Sequence, residues 1–207
     1  MVTVAAIVGY LLGSAPTAGW LAQAWGVDLR RDGSGNPGTA NALRTSGRWL
    51  ASLVLVVEAA KGFAAVWTGD VIADEIGAVV AGLGAVTGNV YNMWYRFAGG
   101  KGLGISLGVL AGLWPWALIP IVAIIALGAL LTRSAGIASL LAVAGLIAMS
   151  FSWLAMGWDS GGLASGRQLP HIAFGIGALI SWKHWRDSPL SGRDPRSLGE
   201  PASPGRR

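Results

Sequence analysis

The 207-residue chain is 53% hydrophobic and only 12% charged, with a mean hydropathy of +0.56, which is more apolar surface than a soluble core of this size can bury. Its zero cysteines exclude disulfides, thiolate nucleophiles and Cys-ligated metals. The net charge of +5 is not a nucleic-acid signal, because membrane topology itself demands basic loops and no aromatic-interleaved basic face lies outside the apolar runs.

Five apolar runs approach or exceed the length that crosses a bilayer: residues 4–25, 49–68, 76–97, 116–132 and 137–158. The first lacks a positive n-region and is too long for a signal peptide, so it is expected to be retained. Residues 103–113 form a shorter Gly-rich stretch, readable as a short helix, a re-entrant segment or half a span, and residues 169–182 are similar. Counting both gives seven spans, and charge supports that count. Arg30, Arg31, Arg44, Arg48, Arg96, Lys101, Arg133, Lys183 and Arg186 then fall on one side, while Asp70, Asp74, Glu75 and Asp159 fall on the other with Arg167. The expectation is an all-α integral membrane protein with seven transmembrane helices, its N-terminus extracytoplasmic and its C-terminus cytoplasmic. Residues 1–186 form the membrane domain, and residues 187–207, rich in Pro, Gly, Ser and Arg, are expected to be a flexible basic cytoplasmic tail.

The loop after the first span carries Gly33, Gly35 and Gly38, matching G-x-G-x-x-G, with Glu58 about 20 residues on. A dinucleotide fingerprint must open a βαβ unit, and this loop joins two apolar spans, so that reading fails. The loop's physical content remains. Glycine-rich backbone can turn N–H groups toward an anion, Ser34, Asn36, Thr39 and Asn41 add neutral donors, and Arg44 adds a guanidinium fork. An ordinary tight turn between spans is the alternative.

The sequence Gly99-Gly100-Lys101-Gly102 sets one lysine among glycines at a helix start. It lacks Walker A spacing, but close backbone approach, a helix N-terminus and a point charge again suit an anion. A lysine that merely marks topology is the alternative. Downstream, Gly104-Ile105-Ser106-Leu107-Gly108 fits G-x-S-x-G, yet no strand-to-helix elbow, His or acid accompanies it, and its glycines are read as helix-packing positions. Ser139 begins the next-to-last span and His184 ends the last; each could equally be a packing, capping or interfacial residue. His171 and His184 stand at opposite ends of one helix, about 20 Å apart, too far to share a metal. Glu58 and Lys61, inside the second span, can neutralise each other at i, i+3 spacing.

Taken in order, G-S-G-N-x-G-x-x-N-x-x-R in the first loop, G-G-K-G after the third span, the Ala138-Ser139 step and His184-Trp185-Arg186-Asp187 resemble the bacterial acyl-phosphate:glycerol-3-phosphate acyltransferase family. Tyr10 to Ser14 and Gly26 to Arg30 resemble it too, so the likeness runs from Tyr10 to Asp187. Departures are present: the family's G-H-x-x-P falls on Gly88 to Asn92 with Asn89 for His, its D-x-x-K-G on Glu58 to Gly62, its A-T-N on Thr39-Ala40-Asn41, and its final Asn on Asp187.

The resemblance implies a seven-helix enzyme of the bacterial plasma membrane whose active site faces the cytoplasm. It would transfer a fatty acyl group from acyl phosphate to the 1-hydroxyl of glycerol 3-phosphate, giving lysophosphatidic acid, with no cofactor and no metal. Ser34, Arg44, Lys101, Ser139 and His184 would be catalytic, and Gly33, Gly35, Asn36, Gly38, Thr39, Asn41, Gly99, Gly100, Gly102 and Asp187 would bind substrate or phosphate. Its partners would be the two substrates and membrane lipids, not nucleic acid; oligomeric state stays open, a monomer being one option. A paralogue using another acyl acceptor, or a non-catalytic lipid-binding protein, are the alternatives.

Overall fold

A computed structural model describes residues 1–187. The described chain is helical, with no strand: α1 (Val2–Ser14), α2 (Thr17–Ala24), α3 (Thr39–Ser46), α4 (Arg48–Val90), α5 (Leu103–Leu113), α6 (Leu118–Thr132), α7 (Ala135–Met156) and α8 (Leu169–Arg186), with 3-10 turns at Met93–Tyr95 and Pro115–Ala117. Four stretches are long and apolar enough to cross a membrane: Val2–Ala24, Arg48–Tyr95, Pro115–Thr132 and Ala135–Met156. Large apolar side chains such as Ile7, Leu11, Val56, Ile119, Leu131 and Phe151 point outward, which in water would be unsupportable and in lipid is required. The protein is an all-α integral membrane protein.

Helix α4 is two arms. Ala73 and Asp74 leave helical geometry, Asp74 with φ 51°, and the chain doubles back there. Gly69 and Gly77 face each other backbone to backbone across the reversal, where a Cβ on either would strike the other's carbonyl. Small residues also let α1 lie against the second arm: Gly9 meets Ala81 and Gly13 meets Ala85 with no room for a side chain between them. On the other side α5 packs against α4 through Gly62 and Gly108, while α6, α7 and α8 follow as neighbours in sequence order.

Helix α5 has only 11 residues, about 16 Å, half the hydrocarbon thickness. Its first turn lies at the level of Glu58, roughly 15 Å along the first arm of α4, because a Cβ at Gly104 would stand 3.2 Å from Glu58 Cβ. Its far end is completed by the loop between α7 and α8, which dips in so that Leu163 and Ala164 N–H donate to the carbonyls of Gly112 and Leu113 at 2.9 and 3.2 Å. That loop is held to the α4 reversal by Ser165 N–H donating to Glu75 Oε1 at 2.6 Å.

Three features differ from the sequence expectation. The first run is broken at Ala15-Pro16 into α1 and α2, since proline cannot continue the ladder. The third run stops being α-helical at Val90, and residues 91–102 form a loop. Helix α8 extends to Arg186. Of the expected basic tail, all but Asp187 lies outside the described residues.

Candidate functional site

The first loop is built around Asn41. Its amide is buried and donates to the carbonyls of Leu29 and Asp32, both at 2.9 Å, while its Oδ1 accepts from Ser34 N–H at 2.8 Å. Gly33 and Gly35 adopt φ of 63° and 71°, conformations an L side chain resists, and a Cβ at Gly33 would strike Asn41 itself. The side chains of Ser34 and Arg44 are thereby exposed, and neither has a partner among the described residues. Gly38 caps α3, placing Thr39 at its first turn.

Residues 91–102 return to the end of α4. Gly99 and Gly100 N–H donate to the carbonyls of Val90 and Asn89 at 3.1 and 3.0 Å, so the glycines lie flat against the helix they follow. Gly102 takes φ 80° and caps α5. Lys101 therefore stands at the N-terminus of a buried apolar helix, where backbone N–H groups and the helix dipole favour an anion.

The two loops meet. Pro37 carbonyl lies 3.6 Å from where a Cβ at Gly100 would stand, and Thr39 Oγ1 lies 3.8 Å from that of Gly104. Arg30 stacks on Tyr95 at 4.5 Å, joining the loops from outside.

The C-terminal end of α8 reaches the same place. Gly102 faces Ile180, 3.9 Å from its Cβ position. His184 packs beside Gly136 at the start of α7, 3.6 Å from where a Cβ there would stand. Its Nδ1 faces the Ile180 carbonyl at 2.9 Å, so the neutral ring carries its proton there and presents Nε2 as an acceptor. Asp187 is neutralised by Lys183 at 3.3 Å and Arg186 at 3.8 Å, so its acid presents no bare charge to an anion. Ser139 Oγ donates to the Ala135 carbonyl and lines, with Ser106, an apolar crevice of about 280 Å³ between α5, α6, α7 and α8.

Lys101, Ser139, His184 and the glycines around Lys101 thus lie at one end of the bundle, with Pro37 and Thr39 of the first loop beside them. Ser34 and Arg44 stand on the exposed side of that loop. Sequence reading missed the partners of Glu58, namely Thr17 and Asn89, and missed Asn92, whose buried amide donates to the Ser14 carbonyl at 2.7 Å. The pair of asparagines after Gly88 was the available signal.

A polytopic α-helical membrane protein with a lysine among glycines at the start of a short helix, beside an apolar crevice, is what these observations define. Comparison with known proteins specifies it further. The family model described as glycerol-3-phosphate acyltransferase matches residues 3–189, and the chain belongs to that family. It is 41% identical over 198 residues to the glycerol-3-phosphate acyltransferase of Synechococcus sp. (strain JA-3-3Ab), covering 93% of this chain and 91% of that one. It is 35% identical over 206 residues to that of Gloeobacter violaceus, covering 94% and 93%. The crystal structure of an integral membrane glycerol 3-phosphate acyltransferase, PlsY, in its glycerol 3-phosphate form superposes with a TM-score of 0.76 at 28% identity, covering 93% of this chain and 94% of that one. The lysophosphatidic acid form gives 0.76 at 27%.

Proposed function

We propose that the protein transfers a fatty acyl group from acyl phosphate to the 1-hydroxyl of glycerol 3-phosphate. The observation that carries this reading is that the turn holding Lys101 packs on the last helix, Gly102 against Ile180 one helical turn before His184, at an apolar crevice lined by Ser106, Ser139 and Ile180. Both substrates bear phosphate and one bears an alkyl chain, so a cationic recess beside an apolar crevice suits them. The family's solved structures, in glycerol 3-phosphate and lysophosphatidic acid forms, support the acceptor and the product.

The chemistry is a single displacement. The 1-hydroxyl oxygen forms a bond to the acyl carbonyl carbon, the bond from that carbon to phosphate breaks, and inorganic phosphate leaves. The hydroxyl proton passes to His184 Nε2 and from there to the leaving phosphate. Acyl phosphate is already activated, so alignment and stabilisation of the developing negative charge are the main tasks. Lys101 and Arg44 take the phosphates, Ser34, Thr39 and the glycine N–H groups orient them, and the acyl chain lies along α5 and α7.

The orientation we infer has the N-terminus outside and seven crossings: α1 with α2, the two arms of α4, then α5 to α8 in turn. The gathering of Arg48, Arg96, Lys101, Arg133 and Lys183 at one end supports it, and in this reading the site faces the cytoplasm from a bacterial plasma membrane.

Incubation of purified protein with acyl phosphate and glycerol 3-phosphate is expected to release inorganic phosphate only when both are present. Lys101→Ala is expected to lower kcat/KM on the order of 10²-fold, the cost of removing one charge-stabilising donor. Wild-type activity in that variant would overturn the assignment.

A further inference from the structure

Glu58 is buried near the candidate site, and both of its carboxylate oxygens are paired. Oε1 accepts from Thr17 Oγ1 at 2.9 Å and from Lys61 Nζ at 3.0 Å, while Oε2 accepts from Lys61 at 3.1 Å and from Asn89 Nδ2 at 2.6 Å. Lys61 also donates to the Ala15 carbonyl at 2.8 Å, one of the groups freed by the break before Pro16. With both carboxylate oxygens and the Lys61 ammonium engaged, the cluster presents no free charge to a ligand. It joins segments instead. Thr17 opens α2, Glu58 and Lys61 lie on the first arm of α4, and Asn89 is in the last turn of the second arm.

From Asn89 the connection runs directly into the glycine loop. Its carbonyl accepts from Gly100 N–H at 3.0 Å, and its Oδ1 lies 3.0 Å from where a Cβ at Gly100 would stand. Gly99 sits against the same carbonyl too closely for any side chain. The stem of Glu58 meanwhile touches the first turn of α5 at Gly104. Lys101 lies between these two contacts in sequence, so the residues on both sides of it are referred to one half-buried hydrogen bond.

We propose that the Glu58–Asn89 hydrogen bond positions Lys101, fixing the level at which the glycine loop enters α5 and so where the ammonium meets the substrate phosphate. This rests on the reading of Lys101 as a phosphate ligand given above. Asn89 and Glu58 line a small recess beside Gly100 and act on Lys101 as positioning residues.

Three variants of the full chain, kept folded by the criterion of a single size-exclusion peak, test it. Asn89→Ala is expected to raise KM for glycerol 3-phosphate about tenfold with kcat changed less than about threefold, the pattern of weakened uniform binding. Asn89→Asp sets a second carboxylate against Glu58; its KM is raised at neutral pH and falls as pH is lowered and the two come to share a proton, a recovery absent from Asn89→Ala. Asn89→Asp combined with Glu58→Gln restores one amide facing one carboxylate and is expected to bring KM back to within about threefold of wild type. A KM within about twofold of wild type in Asn89→Ala, or no recovery in the swapped pair, overturns the proposal. The reactivity of Lys101 toward a water-soluble amine-acylating reagent, read by mass spectrometry, needs no turnover and is expected to change several-fold in Asn89→Ala. Unchanged reactivity overturns the positioning role, whereas an inactive wild type would instead sink the acyltransferase reading.

Discussion

Asn41 shows how one side chain can build a loop whose neighbours carry the chemistry. Its three hydrogen bonds to Leu29, Asp32 and Ser34 leave no spare polar atom, so in the function proposed above its part is the shape it imposes on Gly33, Ser34 and Gly35. Asn41→Ala orphans two carbonyls and one N–H; the expected loss is about 1–3 kcal/mol, visible as a lower Tm in detergent, together with reduced phosphate release. Asn41→Asp keeps the acceptor for Ser34 N–H and loses both donors, and should also fall below wild type. At the same scale, two departures from the family pattern that look independent in sequence prove to be one contact. Glu58 and Asn89 are 31 positions apart and hydrogen-bonded, the longer acid reaching the shorter amide. Nothing local in either segment encodes that pairing, which is why the residue types of the site were legible in sequence and this support beneath them was not.

Among the elements, α5 was the most legible. A Gly-Lys-Gly start and a Trp-Pro stop bracket the 11 residues, and each signal is local backbone chemistry. The end of α4 was hidden because Tyr91, Trp94, Tyr95 and Phe97 keep the composition apolar after the helix has ended, and aromatic residues at an interface look like those of a span. The break at Pro16 was hidden for the same reason, its flanking residues being small and apolar. Glycine spacing, by contrast, had a reading that the structure supports: Gly104 and Gly108 serve as packing positions against Glu58 and Ala59. The sharpest packing requirement is at the reversal of α4. Gly69→Val would drive a branched side chain into the Gly77 carbonyl, and the expected cost is about 1–3 kcal/mol, read as a lowered Tm with the spectroscopic helix content retained.

For the whole molecule, the chain's lack of cysteine makes sidedness directly measurable. A single cysteine at Asp159 should react in intact cells with a membrane-impermeant maleimide, and one at Ala98 should react only after permeabilisation. The reverse result would invert the orientation and place the site outside. Charge is the ground for the proposed topology, because basic side chains at one end and acidic ones at the other are a property of composition and order alone. The depth of the site was not readable that way. It follows from α5 starting level with Glu58, a fact set by packing between segments distant in sequence.

The doubling-back of α4 within two non-helical residues bears on how the chain enters its membrane. In the orientation inferred above, the hairpin starts at Arg48 and is followed by Arg96, basic residues that stay behind, so only a tip bearing Asp70, Asp74 and Glu75 must be translocated during biogenesis. A folded pair of apolar arms carrying so small a polar load can partition sideways from the insertion machinery as one unit, delivering the two walls of the recess together and already in register.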